Sequence, residues 1–420
     1  MKNRKLGRGV AVVGAGMSKF GCFPGYTSRD IFVDAYKDLL STIDKGIDPK
    51  QIEAFYLGNY SSDLFEGQAH LAPIIANWIG LSPIPAVRLE GACASSSVAF
   101  REGMIAIASG LYDIVLVGGI EKMTDLPISA VTDTLATAAD IPYEVSAGFT
   151  FPGFYASMAT AYMHAYGATP ETFMKVTIKN HFNGSLNPKA QFGQKITDIM
   201  EIKKESAIKK GRPVPQWGNE IEFLSDDRAN PMIAWPMRLY DCSPVSDGGA
   251  ALLLVSEELA YQFTDDPIFV IGSGAASDGP LHDRASLTSI PSAKLAANKA
   301  YEMAGVAATD IKIAEVHDCF TIAEIIATED LGFFEEGKGG KAAEEGQTSR
   351  TGSTPINTSG GLKSKGHPVG ASGAGQIVEV WKQLRGQAGN RQLDGNPDLG
   401  ITHNVGGTGQ TCIVNIFERR

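Results

Sequence analysis

Cys93 stands in Glu90-Gly91-Ala92-Cys93-Ala94-Ser95-Ser96-Ser97, between a β-like run, Ala86 to Leu89, and a helix-like run, Val98 to Ser109. A cysteine on a strand-to-helix turn lies beside free N–H groups and the positive end of a helix dipole, which favour thiolate over thiol. Gly91, Ala92 and Ala94 are small enough to let the backbone turn and a substrate approach. Taken alone, the same cysteine also reads as a small buried hydrophobe. Loops in the second half of the chain supply what a nucleophile needs. His317-Asp318-Cys319-Phe320 follows a strand-like run, Gly366-His367-Pro368-Val369-Gly370-Ala371-Ser372-Gly373 precedes a helix-like run, and Gly406-Gly407-Thr408-Gly409 offers a turn of backbone donors. Together they provide a nucleophile, a base, a second acid and N–H donors, the parts of acyl transfer through a covalent thioester. Cys93 and His367 form the expected activated pair, with Pro368 restricting the backbone that carries the imidazole.

The elements that must position these groups follow a repeated pattern. A strand from Gly9 to Val13 ends in Gly14-Ala15-Gly16, which could pass for a dinucleotide fingerprint. The place of the third glycine is Lys19, and Phe23-Pro24-Gly25 prevents a helix from starting, so no nucleotide site is expected. Ser28 caps a helix from Arg29 to Thr42 with Ile31, Ala35, Leu39 and Leu40 on one face. A strand at 52–57, a helix at 69–78, the Cys93 turn with its helix, and a buried strand at 114–119 follow. From 121 to 239 the alternation stops, and aromatic clusters, a lysine-bearing stretch and Pro- and Trp-containing loops suggest an excursion that covers the site. A strand at 250–255 closes the first half. Val270-Ile271-Gly272 then answers Val12-Val13-Gly14, the helix Ser292 to Ala304 answers the first helix, Ile313 to Val316 answers Ala54 to Leu57, and a helix at 371–384 stands where the Cys93 helix stood. Strands at 399–403 and 411–417 finish the chain. Two β-α-β-α-β halves imply a pseudo-twofold, five-layered α/β architecture with the site where the halves meet. The expected divisions are 1–120 with 240–260, the excursion 121–239, and 261–420.

Composition narrows the class. The chain has 420 residues, 43% hydrophobic and 20% charged, with a net charge of −10, which argues against nucleic acid as a bulk partner. Five cysteines without a C-x-x-C suggest a reducing compartment, with neither a disulfide framework nor a structural zinc. Met1 to Gly9 is basic, but the apolar run after it is too short for a signal peptide, and no stretch is long enough for a membrane span. The C-terminus carries no peroxisomal address. The expectation is a cytoplasmic protein.

At these motifs the chain resembles the thiolases over essentially its whole length. The Gly91–Ser95 loop, the Gly366–Gly373 run and the C-terminal glycine loop occur in that family's order and spacing. Val117-Gly118-Gly119-Ile120-Glu121-Lys122-Met123 is similar to the thiolase strand that pairs subunits. Two linked departures stand out. The chain has His317-Asp318-Cys319-Phe320 where the common family has Asn-Glu-Ala-Phe, and Asn404-Val405-Gly406 where it has Cys-x-Gly. This combination resembles the sterol-carrier-protein type with its bacterial and archaeal relatives, in which the missing thiol comes from the His-Asp-Cys-Phe loop.

The resemblance implies cleavage of a 3-oxoacyl-CoA by free CoA, or the reverse condensation, through a Cys93 acyl-enzyme. His367 would be the base, Cys319 the second acid, and His317 the donor to the thioester oxygen. The N–H groups of Cys93 and Gly406 would hold the acyl oxygen, and Ser246 and Ser372 would contact CoA. It implies no metal and no resident cofactor, with CoA as co-substrate, and a homodimer or dimer of dimers. A small zinc-ribbon/OB-fold partner subunit, as bacterial and archaeal relatives have, is a further expectation. The acyl group is either acetoacetyl or something bulky and aromatic such as benzoylsuccinyl. For the bulky case, Phe149, Phe151, Phe154, Tyr155, Trp235 and the stretch 202–230 would shape the pocket. Three other readings stay open. A decarboxylating ketoacyl-synthase-like enzyme would not need the Cys319 thiol. A non-catalytic acyl-CoA-binding subunit would not need the full set of groups. A cysteine hydrolase would not depend on CoA.

Overall fold

The computed structural model describes residues 6–420, so part of the basic stretch Met1 to Gly9 lies outside the described residues. The first half runs β1 (Val10–Met17), α1 (Ser28–Ser41), β2 (Ala54–Gly58), α2 (Ser62–Phe65), α3 (Leu71–Trp78), β3 (Ala86–Leu89), α4 (Ser95–Ala108) and β4 (Ile114–Glu121). An excursion follows with α5 (Ile128–Ala136), α6 (Phe151–Tyr166), α7 (Pro170–Ser185), α8 (Ile196–Lys209), α9 (Glu220–Ser225) and the small hairpin of β5 (Met232–Ala234) and β6 (Met237–Arg238). β7 (Gly248–Ser256) and α10 (Ala260–Phe263) return to the first half. The second half runs β8 (Ile268–Ser277), α11 (Pro291–Ala304), β9 (Ile313–Glu315), α12 (Thr321–Asp330), α13 (Gly339–Glu344), α14 (Gly361–Lys365), α15 (Ser372–Leu384), β10 (Leu399–Gly406) and β11 (Thr411–Arg419).

The large sheet has nine strands in the order β3-β2-β4-β7-β1-β8-β11-β10-β9. Read outward from its middle, the order is a palindrome: β1 answers β8, β7 answers β11, β4 answers β10 and β2 answers β9. The expected twofold repeat is therefore present, with two differences. The halves are joined into one hydrogen-bonded sheet through β1 and β8, by the pairs Ala11–Phe269 and Val12–Ile268 alone. The second half also lacks a strand equivalent to β3, which is reduced to a single parallel bridge between Ala314 and Ile356. α4 and α15 pack against each other between the halves, with α15 touching β1 and β7 on one side and β9 and β10 on the other. α1 and α11 cover the outer faces, giving the α-β-α-β-α order.

Small residues permit these contacts. β1 does not stop at Gly14 but runs on to Met17, fully buried. A Cβ on Gly16 would lie 2.0 Å from the Leu39 backbone nitrogen and one on Gly14 would lie 2.7 Å from the Ile43 side chain, so this glycine pair is the bed of α1. α1 starts one residue earlier than expected, at Ser28: Thr27 is the N-cap, with the Asp30 carboxylate accepting from the Thr27 N–H at 2.9 Å and from its hydroxyl at 2.7 Å. At the centre, the N-termini of α4 and α15 abut. Ala374 N–H donates to Ser96 Oγ at 2.9 Å, and a Cβ on Gly373 would fall 2.1 Å from Ser97 Oγ. This contact sets the Cys93 turn beside the His367 loop.

One expectation fails here. β4, which holds most of Val117–Met123, pairs with β2 on one side and β7 on the other and is fully buried, so it cannot pair subunits. The strand at the free edge of this half is β3, with Val87 48% exposed. Among the described residues no helix is long and apolar enough to cross a membrane. The Gly16 packing gives a test: Gly16→Ala should displace α1 and cost about 1–3 kcal/mol, read as a lowered midpoint in thermal unfolding. An unchanged midpoint would contradict the close approach.

Candidate active site

The turn before Cys93 is sharper than the sequence suggested, and it is Ala92 that makes it. Ala92 takes a left-handed backbone, φ 50°, a conformation non-glycine residues seldom adopt. Ser95 holds it there, accepting from the Gly91 N–H at 3.1 Å and donating to the Ala92 carbonyl at 2.6 Å. The chain then enters a 3-10 turn, Ala92–Ala94, which runs straight into α4. In this setting the N–H groups of Gly407 and of Cys93 itself both face the Cys93 thiol. The expected partner was Gly406. Gly406 is instead the last residue of β10, paired with Thr411 and pressed so closely on the Gly91 carbonyl that a Cβ there would sit 2.2 Å from it. The donor passes to the next residue, Gly407, whose φ of 64° turns the backbone toward the thiol.

The loops from the second half converge on this thiol as expected. One donor atom each from Cys93, His317 and His367 lies within 4.8 Å of the others, and the two imidazoles meet edge to face with centroids 5.2 Å apart. Their hydrogen bonds assign their protons in opposite senses. With Ser372 Oγ donating to the Pro368 carbonyl at 2.9 Å, the 2.6 Å contact between His367 Nδ1 and Ser372 Oγ is assigned as an Nδ1–H donation. The lone pair of His367 is then on Nε2. For His317, Asn404 Nδ2 donates to Nδ1 at 3.0 Å, while Asn404 Oδ1 accepts from Ser97 Oγ at 2.9 Å. The hydrogen of neutral His317 is then on Nε2, which is buried and has no protein partner. One imidazole offers the site a base and the other a donor. The same tautomer makes a poor metal ligand of His317, because its Nε2 is protonated, so this Cys-His-His group does not fit a bound metal as it stands.

Burial sets the charge state. It pushes the Cys93 thiol up to about 12, against the lowering pull of the Gly407 N–H, so burial overrides the helix-end stabilisation of a thiolate expected from sequence. Burial likewise holds His367 down at about 3, with Lys365 adding to the effect, and holds His317 well below the usual imidazole range, with His367 and His403 adding to it. The Cys319 thiol is pushed well up by burial and by Cys93. At neutral pH the resting site therefore holds two thiols and two neutral imidazoles.

Cys319 is 6% exposed and its carbonyl accepts from the Ser243 N–H at 2.9 Å. Asp318 beside it points away from the site and anchors the loop, accepting from the Leu362 N–H at 2.6 Å and from Asn180 Nδ2 at 2.7 Å. Ser246 and Ser372 depart from the expected CoA contacts. Both are buried, and both hydroxyls serve the His367 loop. Ser246 Oγ accepts from the His367 N–H at 2.8 Å and donates to Gln191 at 2.6 Å. Of the aromatics expected to shape a bulky pocket, Phe149 and Phe151 both pack on Phe154. Phe154 is in the core, Phe149 stacks on it at 5.1 Å, and Trp235 is 61% exposed. Tyr155 alone reaches the site. It stacks on Phe320 at 4.6 Å, its hydroxyl donates to the Gly407 carbonyl at 3.1 Å, and the same hydroxyl lies against the Cys319 thiol.

Sequence reasoning also passed over Glu121, at the end of β4. Its carboxylate accepts from Asn59 Nδ2 (2.9 Å) and from the N–H groups of Tyr60 (2.8 Å), Ser61 (3.1 Å) and Gly370 (3.0 Å), tying two loops of the site together. Burial pushes it up to about 7. The resting charge state yields a pH test. With the Cys93 thiol raised, the thiolate fraction must grow with pH, so alkylation of the Cys93 peptide by iodoacetamide should rise steadily from pH 6 to 9 without a plateau. A plateau already reached near pH 6 would indicate a resting thiolate–imidazolium pair.

Comparisons with known proteins agree with this geometry. The thiolase N-terminal domain matches residues 10–258 and the thiolase C-terminal domain-like family matches residues 273–419. Acetyl-CoA acetyltransferase of Methanothermobacter thermautotrophicus is 44% identical over 98% of this chain and 100% of its own. Benzoylsuccinyl-CoA thiolase subunit BbsB of Thauera aromatica is 31% identical over 96% of both. Among solved structures, the Ltp2-ChsH2(DUF35) aldolase superposes with a TM-score of 0.77 over 99% of both chains at 23% identity, a likeness of fold. With both halves matched end to end and the paired thiols and imidazoles between them, the chain belongs to the thiolase family and is an acyltransferase of that type.

Proposed function

We propose that the enzyme cleaves a 3-oxoacyl-CoA with free CoA, or runs the reverse condensation, with Cys93, His367, His317 and Cys319 as the groups that act. The observation that carries this reading is the opposed tautomers of the two histidines around Cys93. His367 Nε2 takes the Cys93 proton as sulfur attacks the 3-keto carbon, and the oxygen that becomes negative is received by the N–H groups of Cys93 and Gly407. Removing one such donor typically costs ~10²–10³ in rate. The Cα–Cβ bond breaks, leaving an acyl group on Cys93 and an acetyl-CoA enolate. His317 Nε2–H donates to the enolate's thioester oxygen, and Cys319 protonates its carbon, becoming a thiolate. CoA then gives its thiol proton to Cys319 and attacks the acyl-enzyme, while the protonated His367 returns its proton to Cys93. Every group ends as it began, and the proposal calls on no metal and no resident cofactor.

The excursion 121–239 belongs to the same proposal as the part that covers the site and holds CoA, between the first half (1–120 with 240–260) and the second (261–420). Tyr155 and Gln191 support this, since both extend from the excursion into the site's loops. Acetoacetyl-CoA is the first substrate to try, given the name of the 44% identical relative. We also propose a homodimer, or a dimer of two such dimers, for which the free edge at β3 is the fitting strand, and a small zinc-ribbon/OB-fold partner subunit. A cytoplasmic location remains part of this reading.

A thiolysis assay followed at the 3-oxoacyl enolate absorbance tests it, run with the chain alone and with any zinc-ribbon protein encoded beside it. Acetoacetyl-CoA should be consumed only when free CoA is present, and Cys93→Ala should abolish the reaction. Cys319→Ala should slow carbon–carbon cleavage by ~10²-fold or more, the usual contribution of a positioned acid. Full cleavage by that variant would remove Cys319 from the mechanism, and CoA-independent loss of substrate would point to hydrolysis.

A further inference from the structure

The glycine turn after β10 is held from separate parts of the chain. Gly409 N–H donates to the Gly406 carbonyl at 3.1 Å and closes the turn on itself. Thr408 N–H donates to Gln410 Oε1 at 2.8 Å, and Ser292 Oγ, in the first turn of α11, donates to the Gly409 carbonyl at 2.6 Å. Tyr155, on α6 in the excursion, donates its hydroxyl to the Gly407 carbonyl at 3.1 Å. Among the described residues the Gly407 N–H meets no oxygen acceptor. Buried backbone donors are rarely left so, and this one sits at the nucleophile, because the residue before it presses on the Gly91 carbonyl just ahead of Cys93.

The orientation of that donor is not secured by its own residue. The Gly406 carbonyl and the Gly407 N–H share one rigid peptide plane, and the Gly407 carbonyl belongs to the next. Only the φ and ψ of a glycine separate the two planes, and glycine is the residue least able to fix them. A side chain could not be added for stiffness, since a Cβ on Gly407 would lie 2.4 Å from Gln410 Oε1. The Gly409 bond holds the first plane and the Tyr155 bond holds the second. Tyr155 itself has no exposed surface, and its ring stacks on Phe320 at 4.6 Å. Phenylalanine would fill that space equally well, so what tyrosine adds is the hydroxyl and its hold on the turn.

We propose that Tyr155 is a positioning residue of the reaction: by holding the Gly407 carbonyl it aims the Gly407 N–H at the place where the acyl oxygen becomes negative. This deepens the thiolase reading and rests on it. One donor to that oxygen is then set from the excursion, far along the chain from both Cys93 and Gly407. Without the hydroxyl the two glycine dihedrals relax, and the donor loses the preorganisation from which such groups draw their effect.

The test is Tyr155→Phe, which keeps the ring and its stack and removes only the hold on the carbonyl. The readout is single-turnover acylation of Cys93 by acetyl-CoA, followed by rapid quench and intact-protein mass. This step calls on the donors to the acyl oxygen and not on the protonation of carbon by Cys319, against whose thiol the same hydroxyl lies. The saturating acylation rate should fall ~10-fold, short of the ~10²–10³ that follows loss of an oxyanion donor outright. The acetyl-CoA concentration at half-saturation should not change. Ser292→Ala, which frees the same turn at the Gly409 carbonyl, should slow acylation in the same manner. Acylation of Tyr155→Phe at the wild-type rate overturns the assignment. So does a loss confined to carbon–carbon cleavage, which would put the hydroxyl in the service of Cys319, or a change in half-saturation alone. If the wild-type enzyme neither takes an acetyl group on Cys93 nor cleaves acetoacetyl-CoA with CoA, the thiolase reading fails and this proposal with it.

Discussion

The site depends on one constraint: three buried titratable side chains, His317, Cys319 and His367, surround the half-buried Cys93 thiol without a net charge. Two thiols and two imidazoles survive in such a place only as neutral species, since any one of them ionised alone would bear the full cost of desolvation. Neutrality makes proton position the whole of the site's information. A neutral imidazole is base and donor at once, and which face it shows depends on what its other nitrogen does. The structure spends Ser97, Asn404, Ser372 and Pro368 on that decision, none of which needs to touch a substrate. In the proposed reaction charge appears only in transit, passed between groups of which Cys93, His317 and His367 each bring an atom within 4.8 Å of the others.

Holding such protons still requires a rigid frame, and the frame is built by omission. Where the N-termini of α4 and α15 meet, Gly373 and Gly119 carry no side chain because none fits: a Cβ on Gly119 would lie 2.5 Å from the Gly370 carbonyl. The closeness brings Ser96 and Ser97 against the opposite helix, so the helix that follows Cys93 supplies both a clamp on the His367 side and the anchor for Asn404 on the His317 side. Glu121 adds a second tie, binding the loop after β2 to Gly370. Short hydrogen bonds across a packed seam keep the imidazoles from rotating, which preorganised donors need if they are to stabilise charge as it forms.

Much of this was legible in the residues. The repeat between the halves could be read because hydrophobic period and glycine-terminated helices recur at matching spacings, and Cys93, His317, Cys319 and His367 could be read because each sits where a strand ends or a helix begins. What stayed hidden was set by contacts between distant segments. Tyr155 looked like one more aromatic in a cluster, because only the folded chain shows that it is the member that reaches Gly407. Ser246 and Ser372 looked like ligands because a serine near a loop says nothing about whether its hydroxyl is already engaged. The shift from Gly406 to Gly407 followed from β10 running three residues past the expected end at His403, and the thiolate expected at the helix end lost to a burial that no local pattern reports.

The missing strand in the second half has a consequence for how copies of this chain can join. A sheet with two open rims can add neighbours on both and grow without limit. Here the β9 rim is three residues long and is met by the bridge at Ile356, so the usable rim is the one at β3. In the homodimer proposed above, a molecule with one open rim would pair rim to rim about a twofold axis, and that pairing would consume the rim. A pseudo-twofold sheet with both outer strands in full would offer two such rims; this one, with a strand absent from its second half, offers one.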